Sequence, residues 1–582
     1  MKVSIVVTTY NRRHSLERCL SSLASQSFPA NEYEVIVVAD GCTDDSVELL
    51  RSFTFPCAFR WLAQSNQGQP AAQNLGVAAA SGDIVLFMDD DCVCSPELVT
   101  AHYEAHARAN HLVVIGAVLL HPDSPPGTLR DMMKDLEDAE CQRLSLEGTR
   151  RSDLMLCANS SIARNAALDC SFDTTYKRIH DVKAGVCLWA TGYRPQFAPS
   201  AVAYELYTKT ASEHLHDSNQ RGKYEVILST SHPAFKPLAG IASMNEDNLL
   251  KRALRKQLAL HPVACELVLQ PIYSLADSLR ALPMFSWLAK RVLVARLISA
   301  HLSGAIQGAG SWERLEERFG KRVPVFMYHN VGSPRLGEYP GLTTPTAEFE
   351  AQISFLSKMG YKGIRPSEWL QWRDAGGTLP RRPVMLVFDD AFAEACRNAF
   401  PILERYGFGA ACMVVTRCIG STNRWDEEAG LPSFQLMSES EILEWSKRGI
   451  EFGGHTCHHH DLRLIPDERV EEELSQCKDD LNALLGKAPT CFAYPFGGVS
   501  PAAQAAARNH FALAFTTAPG FLDLSTDPHL APRISFLHGE TRFGMWCRLR
   551  LGKNLFEVCK NRWSSLMRKI SNGVKSGTTQ SR

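Results

Sequence analysis

The sequence predicts two α/β domains separated by a helical connector, and three observations carry this. First, at 582 residues the chain is too long for one hydrophobic core. Second, residues 1–115 and the stretch from Val323 onward both alternate Val- and Ile-rich runs with segments of helical period, the pattern of strands and helices in turn. Third, residues 211–322 lose the strand-like runs and repeat apolar residues at helical period with basic residues between them. Hydrophobic content of 45% and charged content of 21% are ordinary for a globular protein. A formal net charge of -1 gives no global electrostatic case for nucleic acid, so nucleic acid is not expected as a partner.

Taken in order, "VSIVVTTY" (3–10), "YEVIVVAD" (33–40) and "DIVLFMDDD" (83–91) read as strands, with helical "SLERCLSSLASQS" and "AAQNLGVAAASG" between them. The βαβα order argues for a parallel, doubly wound sheet. Shorter elements continue to about 210. "NEDNLLKRALRKQLALHPVACELVLQ" and "MFSWLAKRVLVARLISAHLSGAIQ" read as amphipathic helices, either packing on neighbours or offering a face to membrane or partner. Strand-like runs resume with "VPVFMYHNV", "PVMLVFDDAF", "GAACMVVTR", "IEFGGHT", "CFAYPFGG" and "ALAFTT". Domains are therefore expected at 1–210, 323–540 and, as connector, 211–322. A tail, 541–582, carries ten Lys/Arg against one acid, Glu557.

Compartment follows from the cysteines and the first residues. The 18 cysteines form no CxxC pair, and many sit inside apolar runs, which suits a reducing compartment. The start, "MKVSIVVTTYNRR", reads as a buried strand rather than a signal peptide. No run of 18 uncharged apolar residues occurs, so a spanning helix is not expected. The expected location is cytoplasmic, with the basic tail and central helices suited to peripheral contact at the inner face of the plasma membrane.

In the first half, Asp89, Asp90 and Asp91 end an apolar strand, Asp40 ends the preceding one and Asn11 follows the first. Ligands bind at the carboxyl ends of strands in open α/β sheets. Alternation along a strand lets Asp89 and Asp91 share a target, and adjacent carboxylates repel unless a cation offsets them. Mg²⁺ or Mn²⁺ on a diphosphate fits, as does a solvated acidic loop.

The stretches "VSIVVTTYNRRHSLERCLSSLASQ", "VIVVADGCTDDS", "NQGQPAAQNLGVAAASGDIVLFMDDD" and "ANSSIAR…FDTTYKRIHD" resemble the family 2 glycosyltransferases, whose fold is GT-A. The resemblance implies a nucleotide-sugar donor and an inverting transfer. It implies Asp40 on the nucleotide base, Asp89 and Asp91 as the Asp-x-Asp pair with Asp91 the metal ligand, and Asp181 as the base that deprotonates the acceptor hydroxyl; Asn11, by its place at the end of the first strand, is expected at the same nucleotide-binding edge. Three positions depart from the family: Gln73 where Arg is frequent, His180 where Glu precedes the base, and Tyr204 and Glu205 where a His often follows.

In the second half, "LVFDDAF" (386–392) and "GGHTCHHHDL" (453–462) each put polar groups at a strand end. Two imidazoles and a carboxylate make an open catalytic metal set, with a chance surface cluster as the bland alternative. Spacing alone allows His455 with His459, His455 with His458, or His458 with His460.

Residues 323–537 resemble the NodB homology domain of polysaccharide deacetylases, carbohydrate esterase family 4, a distorted (β/α) barrel. "VMLVFDDAF", "ESEILEWSKRGIEFGGHTCHHHDL", "FAYPFGG" and "APRISF" carry the match. By this resemblance His455, His459 and Asp390 hold Zn²⁺ or a similar divalent metal, Asp389 is the general base, Arg533 orients it and His329 lines the site. A backbone N–H near Tyr494 helps hold the oxyanion. The leaving-group acid has His538 as its candidate, with His529 as another. Ala391 stands where Gly is common, which a negative φ tolerates. The reading is a bifunctional enzyme, a glycosyltransferase and a metal-dependent sugar N-deacetylase in bacterial envelope polysaccharide or glycolipid synthesis. Its acceptor is a glycan or glycolipid bearing N-acetylhexosamine. The alternative is a transferase whose deacetylase-like domain only binds carbohydrate.

Overall fold

The structure is a computed structural model describing residues 2–156, 158–245, 249–427, 430–536 and 539–552. The chain divides into two compact units, Met1–Ile241 with Asp247–Leu315, and Ala242–Glu246 with Glu316–Arg582. Each is described by itself.

The first unit is built on an eight-stranded sheet of order β3-β2-β1-β4-β7-β6-β8-β5. The strands are β1 (Val3–Thr9), β2 (Tyr33–Asp40), β3 (Ala58–Gln64), β4 (Ile84–Asp89), β5 (Cys92–Cys94), β6 (Leu112–Leu120), β7 (Ser160–Ala163) and β8 (Arg194–Glu205). β1, β2, β3 and β4 are parallel, so the ends of β1, β2 and β4 share one edge, with Thr8 level with Asp89 and Thr9 with Ala39. β1, β2 and β4 are buried on both faces, which is why they read as unbroken apolar runs. The wholly parallel sheet expected from the βαβα order stops at β4. β7 pairs antiparallel with both β4 and β6. Antiparallel neighbours need no crossover, and the segment 121–159 leaves and re-enters at the same sheet edge.

The connector helices belong to this unit. Ala211–Ser231 starts at a capping box in which Thr210 accepts from the Glu213 N–H. Leu249–Leu260, Pro262–Ser278 and Pro283–Ala309 follow. Pro283–Ala309 is long and apolar enough to cross a membrane, against the expectation of no such segment, because its apolar run tolerates isolated basic residues. Its second half packs into the unit: a Cβ on Gly222 would lie 2.0 Å from the His301 carbonyl oxygen, and one on Gly304 1.8 Å from that of Asn219. Only glycine permits that helix crossing.

The second unit curls a nine-stranded sheet into a barrel-like wall, in the order β17-β16-β15-β14-β13-β9-β18, with β12 on β13 and β19 on β9. The strands are β9 (Val323–Tyr328), β10 (Asn330–Gly332), β11 (Thr343–Pro345), β12 (Lys362–Ile364), β13 (Pro383–Phe388), β14 (Ala410–Val414), β15 (Ile450–Gly454), β16 (Cys491–Ala493), β17 (Leu513–Phe515), β18 (Phe521–Leu522) and β19 (Ile534–Ser535). β10 and β11 form a small separate sheet. Pairing along β9, β13, β14, β15, β16 and β17 is parallel throughout. The carboxyl ends therefore gather at one rim, with Phe388 level with Tyr328 and Val414 with Gly454. Phe326, Phe349, Phe388 and Phe400 fill the core beneath it.

Candidate functional sites

The rim of the second unit opens into a cleft of about 450 Å³. β13 ends at Phe388, and the Asp389 N–H still donates to the Tyr328 carbonyl at 2.9 Å. The backbone then turns left-handed, with φ of 68° at Asp390 and 56° at Ala391. That turn sends both carboxylates into the cleft. The positive φ at Ala391 removes the condition under which an alanine in place of glycine is tolerated without strain.

Asp389 is buried against Arg533, whose Nη1 donates to Oδ1 at 2.7 Å while its Nε donates to the Thr516 carbonyl at 2.8 Å. His329 Nε2 lies 3.9 Å from the other oxygen. Burial pushes the Asp389 carboxyl up, but the Arg533 guanidinium, with His455 and His329, outweighs it and holds it below the ordinary range.

His455 and His459 come from the loop after β15, which is not helical: φ is 66° at Thr456 and 62° at His459. Their Nε2 atoms face Asp390 Oδ1 at 3.4 and 3.2 Å. That oxygen is buried and has no hydrogen-bond partner. His455 Nδ1 is committed to the Ala493 carbonyl at 2.8 Å, which turns its Nε2 lone pair inward. An orphaned carboxylate oxygen between two imidazole nitrogens fits a divalent cation with open positions. Trp425 stacks on His459 at 4.3 Å.

His458 instead pairs with Glu473 at 2.6 Å and stacks with His460, away from Asp390. The Tyr494 N–H is tied to the Phe515 carbonyl at 3.1 Å. His529 bonds the Phe511 carbonyl through Nε2 at 2.8 Å and does not line the cleft. His538 lies outside the described residues. Sequence reasoning missed Trp425 and Asp426, on the short helix Arg424–Glu427, and Phe496, on the 3-10 turn Pro495–Gly497, all of which line the cleft. Burial raises the Asp426 carboxyl, and a bond from Asn423 offsets only part of that.

The first unit holds a cavity of about 460 Å³ bordered by Asp89, Asp181, Glu205, Arg178 and Lys209. Asp181 lies in the first turn of the helix His180–Ala190, entered through a left-handed Ile179. Asp89 faces Gln69, whose Nε2 donates at 3.2 Å. Asp91 and Asp90 both meet Arg12, at 2.5 and 3.2 Å. The three carboxylates do not converge on one point as Asp390, His455 and His459 do.

Burial first, then mutual repulsion, raises Asp89 to about 8, and Glu205 is raised to about 7 by burial and Asp91. Burial also lifts Asp90 to about 6 against the pull of Arg12. Asp89 and Glu205 border the cavity, and Asp90 lies outside its lining. Asp40 is buried and accepts from Gln64 Nε2, Gln67 N–H and Gly68 N–H, each at 2.8 Å, so its carboxylate organises the 64–68 loop. Asn11 Oδ1 accepts the Thr43 N–H at 2.7 Å and fixes the turn after β2. Two of the departures meet: His180 Nε2 and Gln73 Oε1 are 3.1 Å apart and both buried. Sequence reasoning missed Arg178, Lys209 and Arg221, the basic groups of this cavity.

A family model described as Glycosyl transferase family 2 matches residues 4–164, and one described as Polysaccharide deacetylase matches residues 376–512. The Bacillus subtilis (strain 168) protein YxkH, named for a polysaccharide deacetylase, is 24% identical over 200 residues, 34% of this chain and 66% of its own length. The uncharacterized glycosyltransferase YfnE of the same strain is 30% identical over 175 residues, 30% of this chain and 43% of its own. The chain thus spans less than two thirds of either relative. The poly-beta-1,6-N-acetyl-D-glucosamine N-deacetylase of Staphylococcus epidermidis (strain ATCC 35984) is 27% identical over 232 residues, 37% of this chain and 75% of that protein.

Proposed function

From a chain that carries a family 2 glycosyltransferase domain followed by a polysaccharide deacetylase domain, we propose a bifunctional enzyme of envelope polysaccharide or glycolipid synthesis. One domain transfers a sugar from a nucleotide donor. The other removes the acetyl group from an N-acetylhexosamine in the acceptor or product. The observation that carries the second activity is the unpartnered Asp390 oxygen facing two imidazoles, with the Asp389–Arg533 pair beside it.

Asp390, His455 and His459 would hold Zn²⁺ or a similar metal, which supplies Lewis acidity to the acetamide carbonyl and to water. Asp389 takes the proton of the attacking water, and Arg533 keeps that carboxylate ionised and aimed. The C–N bond then breaks and the amine needs a proton. We assign the delivery of that proton to His329 or Asp426, both of which line the cleft. In the transferase, Asp181 takes the acceptor hydroxyl proton as the oxygen displaces the nucleoside diphosphate from the opposite face of the anomeric carbon. Arg178 and Lys209 stand at the cavity for the departing charge. Mg²⁺ or Mn²⁺ at Asp91 would share that charge.

The deacetylase relative named for poly-β-1,6-N-acetylglucosamine suggests which oligomer to try first. Acetate release with Zn²⁺ or Co²⁺ should fall at least about 100-fold in His455→Ala and His459→Ala, and persist in His458→Ala and His460→Ala. Equal loss in all four variants sinks the ligand assignment. No release by the metal-loaded parent on any N-acetylhexosamine substrate favours a carbohydrate-binding domain.

A further inference from the structure

The connector helices carry a surface that neither cavity uses. Pro262–Ser278 buries Cys265, Tyr273 and Ala276 and turns Val263, Leu267, Val268, Ile272 and Leu275 outward, between 40% and 74% exposed. Their spacing makes one apolar stripe along the helix. Before and on the next helix Leu282, Met284 and Trp287 are exposed too, at 54%, 69% and 60%. A contiguous exposed patch of this kind marks an interaction surface.

Charge says which kind. Residues 249–300 contain eight Lys/Arg and two acids, Glu266 and Asp277. Both acids are engaged within the fold: Glu266 with Arg296 at 3.0 Å, and Asp277 with the N–H and hydroxyl of Thr128 at 2.8 and 2.6 Å. Arg291 lies over the exposed Trp287 ring at 5.6 Å, an aromatic with a base at its side. Arg296 and Arg280 are the partners of these two acids and Lys290 pairs with Asp135, yet the stretch keeps an excess of positive charge, with Arg291 beside the apolar surface, which is complementary to anionic headgroups over acyl chains.

The helices that carry it do not form one straight span. Leu250–Leu260 and Pro262–Ser278 meet at 101°, and the second half of Pro283–Ala309 is locked to Ala211–Ser231 by the Gly222 and Gly304 crossing.

We propose that this elbow is a membrane-docking face that seats the chain on an anionic bilayer. Its buried side packs in one cluster with Leu129 and Tyr207, and Tyr207 also lines the transferase cavity. Docking therefore holds that cavity close to the lipid surface and makes a lipid-linked glycan its acceptor, a consequence that rests on the transferase reading as the docking itself does not.

The test uses the full chain and vesicles of phosphatidylcholine, alone or equimolar with phosphatidylglycerol. The parent should sediment with the anionic vesicles and release as salt rises. The variant Val263→Glu/Leu267→Glu/Leu275→Glu should bind at least about tenfold less with an unchanged circular-dichroism spectrum. Parent binding no better than to phosphatidylcholine, or equal binding by parent and variant, overturns the proposal. So does a parent dimer without vesicle binding that the variant turns into monomers. With a lipid-linked N-acetylhexosamine acceptor in the vesicles the parent should outpace the variant, and a soluble acceptor should give them equal rates. Binding without transfer to any acceptor counts against the transferase reading and leaves the docking face standing.

Discussion

Ala391 occupies a left-handed backbone position, φ 56°, directly after a left-handed Asp390. An L side chain there costs about 1–2 kcal/mol, which glycine avoids at some cost in unfolded-state entropy. Ala391→Gly is expected to stabilise the chain by about 1 kcal/mol, read as a higher denaturant midpoint at unchanged slope. A lower midpoint would mean that the alanine methyl, buried in the core, contributes more than the strain costs. At this scale the sequence was eloquent about chemistry and silent about conformation. The Asp389-Asp390 pair and the histidine cluster stand out as residue types at strand ends. The turn that aims both acids into one cleft follows from backbone angles that no residue there advertises, because neither Asp nor Ala is the glycine such a turn prefers.

The loop from β15 to the helix Asp467–Leu485 shows how an element sets the ligand geometry. Glu473, buried on that helix, accepts the N–H groups of Cys457 at 2.9 Å and His458 at 3.0 Å and takes His458 Nδ1 at 2.6 Å. Thr456 Oγ1 accepts the His459 N–H at 2.9 Å. These bonds hold the two left-handed residues that bring His455 and His459 to one oxygen. Glu473→Gln keeps the volume but loses the charge, and metal affinity should drop about tenfold, measured by competition with a chelating dye. Unchanged affinity would show that the turn holds without the clamp. The helix itself was legible from its period, and so were the strands flanking both sites. Glu473 was not, since nothing separates it from Glu471 and Glu472 except which face the helix buries. β3 was missed because, as an edge strand, it alternates half-exposed side chains with no apolar run. The antiparallel β7 was missed because period marks a strand and says nothing of its direction.

At the scale of the whole molecule, each unit has its own core, so the metal proposed for each domain should act on that domain separately. Asp89 at about 8, Glu205 at about 7 and Asp90 at about 6 lie above their unfolded values. The folded state therefore binds more protons than the unfolded one between about pH 4 and pH 8. The stability these groups contribute is fully present below that window and is lost as pH rises through it. A cation at these acids relieves the repulsion. In His455→Ala, which disables the other site, Mn²⁺ should raise the unfolding temperature more near pH 8 than near pH 5. Equal shifts at both would mean that Mn²⁺ does not act through these carboxyls. Composition, length and period sufficed to foresee two α/β bodies. The attachment of the connector helices to the first of them could not be foreseen, since amphipathic period shows that a face is buried and not against what.

The Gln73–His180 contact has a consequence for how this sequence can change. Two residues 107 positions apart hold each other as a neutral pair inside the fold, where the resemblance points to Arg and Glu. Replacing Gln73 alone by Arg buries a guanidinium against an imidazole, and replacing His180 alone by Glu buries a carboxylate against an amide. Each leaves a charge without its counterpart, the costly half of a buried ion pair. Only the double replacement is electrically whole, so the two sites are epistatic. The route between the neutral and the charged arrangement passes through a disfavoured single mutant in either order, and the pair works as a ratchet on sequence drift.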